Sequence, residues 1–183
     1  MSDMIPSPSR SSRCILFDWG NTLMRDIPGY IGPMRSWPQV YAIPHAPDVL
    51  SSLRADWTLA LATNAADSEE VDIWAALKRV GLDRLLDRVY CFRRIGHKKP
   101  SPQFFQFILD DLQLEPSNAV MVGDDFEADV LGANRAGIRA VWFNERSAES
   151  RTGVMFRTIS DFRELPAVLR ELMNADGQPP MKG

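Results

Sequence analysis

The sequence predicts a three-layer α/β domain with a mostly parallel central sheet. Two observations support this prediction: short apolar runs alternate with longer segments of helical periodicity, and no internal repeat or low-complexity tract divides the chain. Parallel strands that are buried on both faces are encoded by continuous apolar runs, and each needs a crossover helix to reach the next strand. A chain of 183 residues is long enough for one such domain with a sizeable core.

Six short apolar runs are the predicted strands. They are rich in aliphatic, β-branched or aromatic residues, and several are followed by residues that favour turns or polar sites. The predicted strands are 13–17, 58–62, 88–92, 119–122, 139–143 and 155–159. Because helix-patterned segments separate most of these runs, successive strands are expected to lie parallel.

Five helices are predicted between or after these strands. Four of them begin near residues 47, 102, 126 and 161. The fifth follows the second strand, with Ser68 as its N-cap and Gly81 at its end. Its predicted core positions are Val71, Trp74, Leu77 and Val80.

The predicted domain spans residues 13–173. Segment 1–12 has no apolar stretch and is expected to be disordered, and the polar tail 174–183 is expected to be loose. Segment 27–47 is rich in Pro and Gly and has little helical periodicity, so it is predicted to form an ordered surface loop near the site. Trp37 in this loop and Trp19 are candidates for a pocket wall.

The composition argues against several functional classes. A formal net charge of −3 provides no broad basic field, so nucleic acid is not expected as a partner. No apolar run approaches the ~20 residues that span a bilayer, and the first residues lack a signal-peptide pattern, so no membrane partner is expected. Cys14 and Cys91 are too few for a disulfide framework or a zinc cluster and are predicted to be buried thiols. We therefore expect a cytoplasmic protein.

Polar side chains follow three of the predicted strands. They are Asp18, the pair Thr63 and Asn64, and the pair Asp124 and Asp125. In open parallel sheets ligands bind outside the carboxyl ends of the strands, so these residues are expected to line one crevice. Lys99 lies on a loop before a helix and could reach the same place. Carboxylates together with one lysine and one threonine suit the joint binding of Mg²⁺ and a phosphoryl group.

Four motifs, in this order, resemble those of the haloacid dehalogenase (HAD) superfamily of phosphohydrolases. They are FDWGNTL at 17–23, TN at 63–64, GHKKPSP at 96–102 and VGDDFEAD at 122–129, the last followed by GANRAG at 132–137. The resemblance covers roughly residues 14–144. Each motif alone is a weak signal, whereas the ordered set is specific. The resemblance implies a Rossmann-like, HAD-like fold and a reaction through an aspartyl-phosphate.

The resemblance also implies roles for individual residues. Asp18 corresponds to the catalytic nucleophile that takes up the phosphoryl group. Lys99 corresponds to a catalytic lysine that also binds the substrate and offsets the charge of nucleophile and phosphate. Thr63 corresponds to the donor to a phosphate oxygen. Asn64 is a further substrate-binding candidate, with capping of the following helix as its alternative role.

The implied cofactor is Mg²⁺. The metal ligands that the resemblance implies are Asp18, Gly20 through its backbone carbonyl, Asp124 and Asp125. Of these, Asp125 could bind the cation directly or through water. Asp129 could instead form an ion pair with Lys99, and the sequence leaves open whether Asp125 or Asp129 completes the metal site.

One position departs from the family's pattern. Phosphatases of the superfamily usually carry a second Asp two residues after the nucleophile, and this chain has Gly20 there. The missing carboxylate would protonate the leaving oxygen and later activate water, so its loss predicts turnover slower by ~10²–10⁴. Asp26, His45 and His97 are candidate substitutes by composition only, because no spacing argument favours one of them.

These observations predict a Mg²⁺-dependent phosphomonoester hydrolase with an open active site. The segment between the first motif and the second strand is too short for a helical cap, so the active site is expected to be open. The phosphorylated substrate could then be a small molecule or a macromolecule. A homodimer could supply a lid. One alternative is a catalytically weak or silent domain that binds a phosphorylated partner. The other is a 2-haloacid dehalogenase, which also lacks the second Asp but uses no cation.

Overall fold

A parallel sheet forms the centre of the fold. The computed structural model describes residues 12–174, and the remaining positions of the predicted disordered segment and loose tail lie outside the described residues. The strands are β1 (Cys14–Phe17), β2 (Thr58–Thr63), β3 (Arg88–Cys91), β4 (Ala119–Gly123), β5 (Arg139–Phe143) and β6 (Phe156–Ile159). Their order is β3-β2-β1-β4-β5-β6, and each neighbouring pair is parallel. The predicted parallel α/β architecture is confirmed.

Helices connect the strands and cover both faces of the sheet. They are α1 (Ala46–Leu53), α2 (Glu70–Arg79), α3 (Phe92–Ile95), α4 (Pro102–Leu112), α5 (Gly132–Arg135) and α6 (Leu165–Asn174). A π-helical turn, Phe126–Leu131, leads directly into α5. Short 3₁₀ turns lie at Met34–Ser36, Pro116–Asn118 and Phe162–Glu164. Within residues 12–174, no helix combines the length and the apolar character needed to cross a bilayer.

Alternate residues of β1 face opposite sides of the sheet, and each side has its own core. Ile15 and Phe17 pack into a core with α1, α2 and α6, which we call the first core. Cys14 and Leu16 pack into the second core with α4 and α5. All four side chains are fully buried. One sheet between two helical layers is the three-layer arrangement that the sequence predicts. Cys14 and Cys91 are both buried free thiols, as predicted.

The start of α2 differs from the prediction. Its N-cap is Glu69 rather than Ser68, and Glu69 forms a reciprocal capping box with Asp72. Each acidic side chain accepts from the backbone N–H of the other residue, which satisfies two donors that the first turn would leave free. Phe92, predicted as the last residue of the third strand, instead begins α3.

The core-facing side of α2 is also rotated relative to the prediction. Val71, a predicted core position, is 67% exposed, whereas Leu77 is fully buried. The buried side consists of Ile73, Ala76 and Leu77, with Trp74 and Val80 packed at its margin. Three residues turn the helix by about 300°, so each residue of a stripe spaced by three lies about 60° further around the helix than the one before. Such a stripe therefore leaves the buried face after one or two steps.

Segment 27–47 passes beside α2 and is held there by two arginines. The guanidinium of Arg79, at the end of α2, donates to four backbone carbonyl groups between residues 34 and 38. Arg35 pairs with Asp72 of α2 at 2.9 Å. The segment therefore has a fixed course, because its carbonyl groups find hydrogen-bond donors on a helix.

Phe162 provides a test of the first core. Its ring centroid lies 4.9 Å from that of Phe143 and 6.3 Å from that of Phe17, and the residue is 1% exposed. We expect Phe162→Ala to lower the free energy of unfolding by about 3–5 kcal/mol, because it removes buried apolar area and leaves a cavity. Urea denaturation followed by circular dichroism measures the loss. Phe107→Ala on α4, where the residue is 37% exposed, is the matched control, and equal losses in both variants would contradict the assignment.

Candidate active site

A cleft of about 360 Å³ opens at the carboxyl ends of the strands. It is lined by Asp18, Thr63 and Asp124, which lie at the ends of β1, β2 and β4. Segment 27–47 contributes Met34 and Trp37 to its wall. The polar residues that the sequence predicts at these strand ends therefore meet in one crevice, because parallel strands deliver their carboxyl ends to the same edge of the sheet.

Lys99 lines the cleft, and its side chain is only 1% exposed. Its Nζ donates to Asp18 Oδ1, to Asp129 Oδ1 and to the backbone carbonyl of Ala62, each at 2.7 Å. An ammonium group has three N–H donors, so all of them are used. Burial alone would lower the pKa of Lys99, but the charges and hydrogen bonds of Asp129 and Asp18 raise it above its ordinary value. Lys99 is therefore a fixed cation that joins two carboxylates.

Asn64 holds the backbone that carries Lys99. Asn64 Nδ2 donates to the Lys99 carbonyl at 2.9 Å, and the Lys99 N–H donates to Asn64 Oδ1 at 2.8 Å. The side chain thus ties the end of β2 to the lysine loop, while α2 is capped by Glu69. The Thr63 hydroxyl accepts from the Ala65 N–H at 3.1 Å, so its own hydrogen can point to an oxygen bound in the cleft.

Asp129 is buried against β4 because residue 123 has no side chain. A Cβ on Gly123 would lie 2.1 Å from Asp129 Oδ2, so only glycine leaves room for this carboxylate. The same oxygen accepts from the Asp125 N–H at 3.1 Å. Burial raises the pKa of Asp129, while Lys99 lowers it. The sequence predicts an ordinary helix after β4, whereas Asp129 lies in the wider π-helical turn Phe126–Leu131, a form often found at functional sites.

Three carboxylates in the cleft form a group that could hold a cation. Oxygen atoms of Asp18, Asp124 and Asp129 lie within 4.8 Å of one another. Burial and the charge of Asp18 raise the pKa of Asp124 to about 6. The raised pKa indicates that nearby positive groups do not fully offset the negative charge of the carboxylates around Asp124. A hard divalent cation with oxygen ligands, such as Mg²⁺, fits this donor set. Both oxygens of Asp129 already accept hydrogen bonds, which leaves Asp18 and Asp124 as the freer ligands.

Asp125 has a different environment from the one that the resemblance implies. Its Oδ1 accepts from the N–H groups of Glu127 at 3.0 Å and Ala128 at 2.9 Å, and so caps the π-helical turn. The Asp125 side chain is exposed. The three carboxylates that lie close together in the cleft are those of Asp18, Asp124 and Asp129. Free N–H groups at a helix start stabilise a carboxylate, which explains the capping position. Asp125 lines the cleft as well, and its place in the expected ligand set stays a prediction; Gly20, the backbone candidate of that set, also lines the cleft.

Gly20 leaves a space that another carboxyl group occupies. A Cβ on residue 20 would lie 2.4 Å from Asp26 Oδ2. Asn21, which has a left-handed backbone with φ 54°, holds Asp26 through two hydrogen bonds: Nδ2 donates to Oδ2 at 3.0 Å, and Oδ1 accepts from the N–H at 3.2 Å. Of the three substitutes named from composition, Asp26 lines the cleft, whereas His45 and His97 are exposed and outside its lining.

Several contributors to the cleft have no signal in the periodicity of the sequence. Trp19 and Trp37, the candidates for a pocket wall, both line the cleft, but Met34 beside them is not predicted. The contact between Asn21 and Asp26 joins residues of an irregular turn, where no repeating pattern exists to indicate it. The residue type at position 21 is the one local feature of the sequence that could have drawn attention to this turn, because Asn adopts the left-handed conformation more readily than most residues.

Residues 20–143 match the family of haloacid dehalogenase-like hydrolases. A ribulose-1,5-bisphosphate 5-phosphatase of Halopiger xanaduensis is 34% identical over 111 residues, 60% of this chain and 45% of that protein. The chain spans about half the length of the curated relatives it matches. A crystal structure from Listeria monocytogenes serotype 4b has a TM-score of 0.75 at 28% identity, covering 87% of this chain and 98% of that one. A 2-haloacid dehalogenase from Pseudomonas syringae pv. Tomato DC3000 has a TM-score of 0.60 at 29% identity, covering 73% and 55%.

The ion pair between Asp129 and Lys99 can be tested by stability measurements. Asp129→Asn leaves the buried Lys99 ammonium with one carboxylate instead of two, and we expect the free energy of unfolding to fall by about 3–5 kcal/mol. Urea denaturation measures the loss. Asp67→Asn changes an exposed carboxylate of the same cleft and should shift stability by no more than about 0.5 kcal/mol. Equal stability of Asp129→Asn and the wild type would refute the structural importance of this pair.

Proposed function

The chain belongs to the family of haloacid dehalogenase-like hydrolases, and we propose that it is a Mg²⁺-dependent phosphomonoester hydrolase that acts through an aspartyl-phosphate. One observation carries the proposal. The carboxylate of Asp18 lines the cleft directly after β1, is hydrogen-bonded to Lys99, and lies beside the carboxylates of Asp124 and Asp129. A nucleophile, a fixed cation and a cation-binding group therefore share one crevice.

In the proposed reaction the Asp18 carboxylate attacks phosphorus, and water then releases phosphate from the acyl-phosphate. Lys99 forms an ion pair with Asp18 at 2.7 Å and places positive charge beside the transferring group. Because its three N–H groups already have acceptors, its contribution is mainly electrostatic. The Thr63 hydroxyl would donate to a phosphoryl oxygen, and Asn64 would keep the lysine loop in place.

Asp18 and Asp124 would hold Mg²⁺, with Asp129 next to them and the backbone carbonyl of Gly20 as a further ligand. When bound, the cation offsets the negative charge that the phosphoryl group adds to a cleft already rich in carboxylates. Lys99 alone leaves that charge only partly offset, since the pKa of Asp124 is raised by its burial and by Asp18.

The proposed substrate is a phosphorylated molecule, and the relative from Halopiger xanaduensis, by its name a sugar-bisphosphate phosphatase, supports a small one. Of the described residues of segment 27–47, Gly32, Met34 and Trp37 line the cleft. An open cleft of this kind also suits a larger phosphorylated substrate, or a homodimer in which a second copy supplies a lid. From composition we further propose a cytoplasmic location without a membrane or nucleic-acid partner.

Dehalogenation of a 2-haloacid fits this cleft less well. Displacement of a halide needs the nucleophile but no cation, whereas oxygen atoms of three carboxyl groups here lie within 4.8 Å of one another, and two of these groups, Asp124 and Asp129, have a raised pKa. Such a group favours a reaction that uses a bound cation. Halide release from 2-chloropropionate without Mg²⁺, and no phosphate release from any ester, would reverse this preference.

Phosphate release from para-nitrophenyl phosphate tests the proposed function. We expect the wild type to release phosphate only with Mg²⁺, EDTA to stop the reaction, and Asp18→Asn to abolish it because the nucleophile is gone. The para-nitrophenolate leaving group is weakly basic and needs little protonation, so this substrate does not depend on a strong proton donor. If folded, Mg²⁺-binding protein retains phosphate without turnover, the alternative of a silent domain that binds a phosphorylated partner is favoured instead.

We propose that Asp124 and not Asp125 is a direct Mg²⁺ ligand, and a matched pair of variants tests this. Asp124→Asn is expected to weaken Mg²⁺ binding at least about 10-fold, because it removes a charged ligand. Asp125→Asn should leave binding near the wild-type value, since Asn at this position still caps the helical turn. Isothermal titration calorimetry measures both. A larger loss in Asp125→Asn than in Asp124→Asn would restore Asp125 as the ligand.

A further inference from the structure

We propose that Asp26 is the general acid and base of this site, acting from the space that a side chain on residue 20 would fill. Asp26 would protonate the leaving oxygen and then activate the water that releases phosphate. The inference rests on the proposed phosphomonoester hydrolase and adds a catalytic residue to it.

The chemistry of an unactivated phosphate ester requires a proton donor. An alkoxide or phenoxide leaves readily only when it takes up a proton as its bond to phosphorus breaks. Lys99 cannot serve, because its three N–H groups are held by Asp18, Asp129 and a backbone carbonyl. The described residues that line the cleft include no histidine, cysteine or tyrosine. The donor is therefore expected among the carboxyl groups.

Four carboxyl groups of the cleft already have the tasks described above, as nucleophile, lysine partner, cation ligand and helix cap. They are Asp18, Asp129, Asp124 and Asp125. The two others in the lining are Asp26 and Asp67. Asp67 Oδ1 accepts from the hydroxyl of Ser68, on the loop after β2. Asp26 belongs to the loop after β1, which also carries the nucleophile.

The position of Asp26 follows from the absence of a side chain at residue 20. A Cβ built on Gly20 would lie 2.4 Å from Asp26 Oδ2 and 2.9 Å from Oδ1, so the two groups cannot coexist there. The carboxyl group thus occupies the side-chain space of the residue two positions after Asp18. Glycine at position 20 means that this residue has no carboxylate of its own. The same lack of a side chain leaves room for the carboxyl group of Asp26.

Asn21 is the positioning residue for Asp26. Its Nδ2 donates to Asp26 Oδ2 at 3.0 Å, which leaves Oδ1 to carry and transfer the proton. Arg25, the residue before Asp26, is also anchored. Its backbone N–H donates to the Tyr41 carbonyl at 2.9 Å. A side-chain contact and a backbone contact together hold the carboxyl group in the cleft that Asp18 also lines.

The proposed steps balance as follows. Asp18 forms a bond to phosphorus, the bond from phosphorus to the ester oxygen breaks, and that oxygen takes the bonding pair and the proton of Asp26, leaving as the alcohol. The Asp26 carboxylate then accepts a proton from water as the water oxygen bonds to phosphorus. The bond from phosphorus to Asp18 breaks with its electron pair returning to the Asp18 carboxylate, and phosphate leaves with Asp26 protonated again.

A series of aryl phosphates with increasingly poor leaving groups, from 2,4-dinitrophenyl to phenyl phosphate, tests the inference. We expect Asp26→Asn to keep kcat/KM near the wild-type value for 2,4-dinitrophenyl phosphate and to lower it by about 10²- to 10⁴-fold for phenyl phosphate. The value of kcat/KM reports the step in which the leaving group departs. With 2,4-dinitrophenyl phosphate the variant should also show a burst of phenolate, because the acyl-phosphate then hydrolyses slowly.

Three further variants separate a catalytic role from a structural one. Asn21→Gly keeps a residue suited to the left-handed backbone but removes the amide, and it should show the same leaving-group dependence to a smaller extent. Gly20→Asp combined with Asp26→Ala returns a carboxylate to the vacated space and should recover part of the phenyl phosphate activity. Asp67→Asn is the matched control and should leave the whole series unchanged.

The outcomes distinguish this inference from the proposed function. Equal losses across the series in Asp26→Asn, no loss for phenyl phosphate, or a leaving-group dependence that appears in Asp67→Asn would overturn the role of Asp26 while the phosphatase stands. A wild type that hydrolyses no member of the series would overturn the proposed function, and the inference with it. Recovery in the double variant would support both.

Discussion

The buried ammonium group of Lys99 is the contact on which the rest of the site depends. It joins Asp18 after β1, a carbonyl group of β2 and Asp129 in the π-helical turn after β4, so three separate elements meet at one charge. Two carboxylates held this close in a partly buried cleft would repel each other without it. Other features serve the same contact: Gly123 leaves the space that Asp129 fills, and Asn64 holds the lysine loop through a reciprocal pair of hydrogen bonds.

A second constraint concerns the space above Gly20. The glycine removes a carboxylate from the position two residues after Asp18, yet the same absence of a side chain lets the carboxyl group of Asp26 enter. Asn21 adopts a left-handed conformation and holds that group by its amide. The acid–base chemistry we propose therefore depends on one short irregular turn, whose course is maintained by backbone pairing with residues 41–43.

The predictions that held are those that rest on repeating patterns. Apolar runs indicated the strands, and the parallel sheet brought the polar residues after three strands into one cleft. Two predictions for α2 failed: its buried face is rotated, so that Val71 is exposed, and its N-cap is one residue later than predicted. Glu69 rather than Ser68 caps α2, because the capping box with Asp72 satisfies two N–H groups instead of one. The sequence left open whether Asp125 or Asp129 completes the metal site; in the structure Asp125 caps a helical turn, and Asp129 lies among the carboxylates.

The sequence by itself determined the class of fold, the order of the motifs and the set of residues at the strand ends, because run length and periodicity are properties of neighbouring residues. Only the tertiary structure decided that Asp129 pairs with Lys99 while Asp125 caps the helical turn, that Asp26 and neither histidine lines the cleft, and that segment 27–47 lies against α2. These outcomes depend on the space that a missing side chain leaves, and on contacts between residues far apart in the chain, which no local pattern encodes.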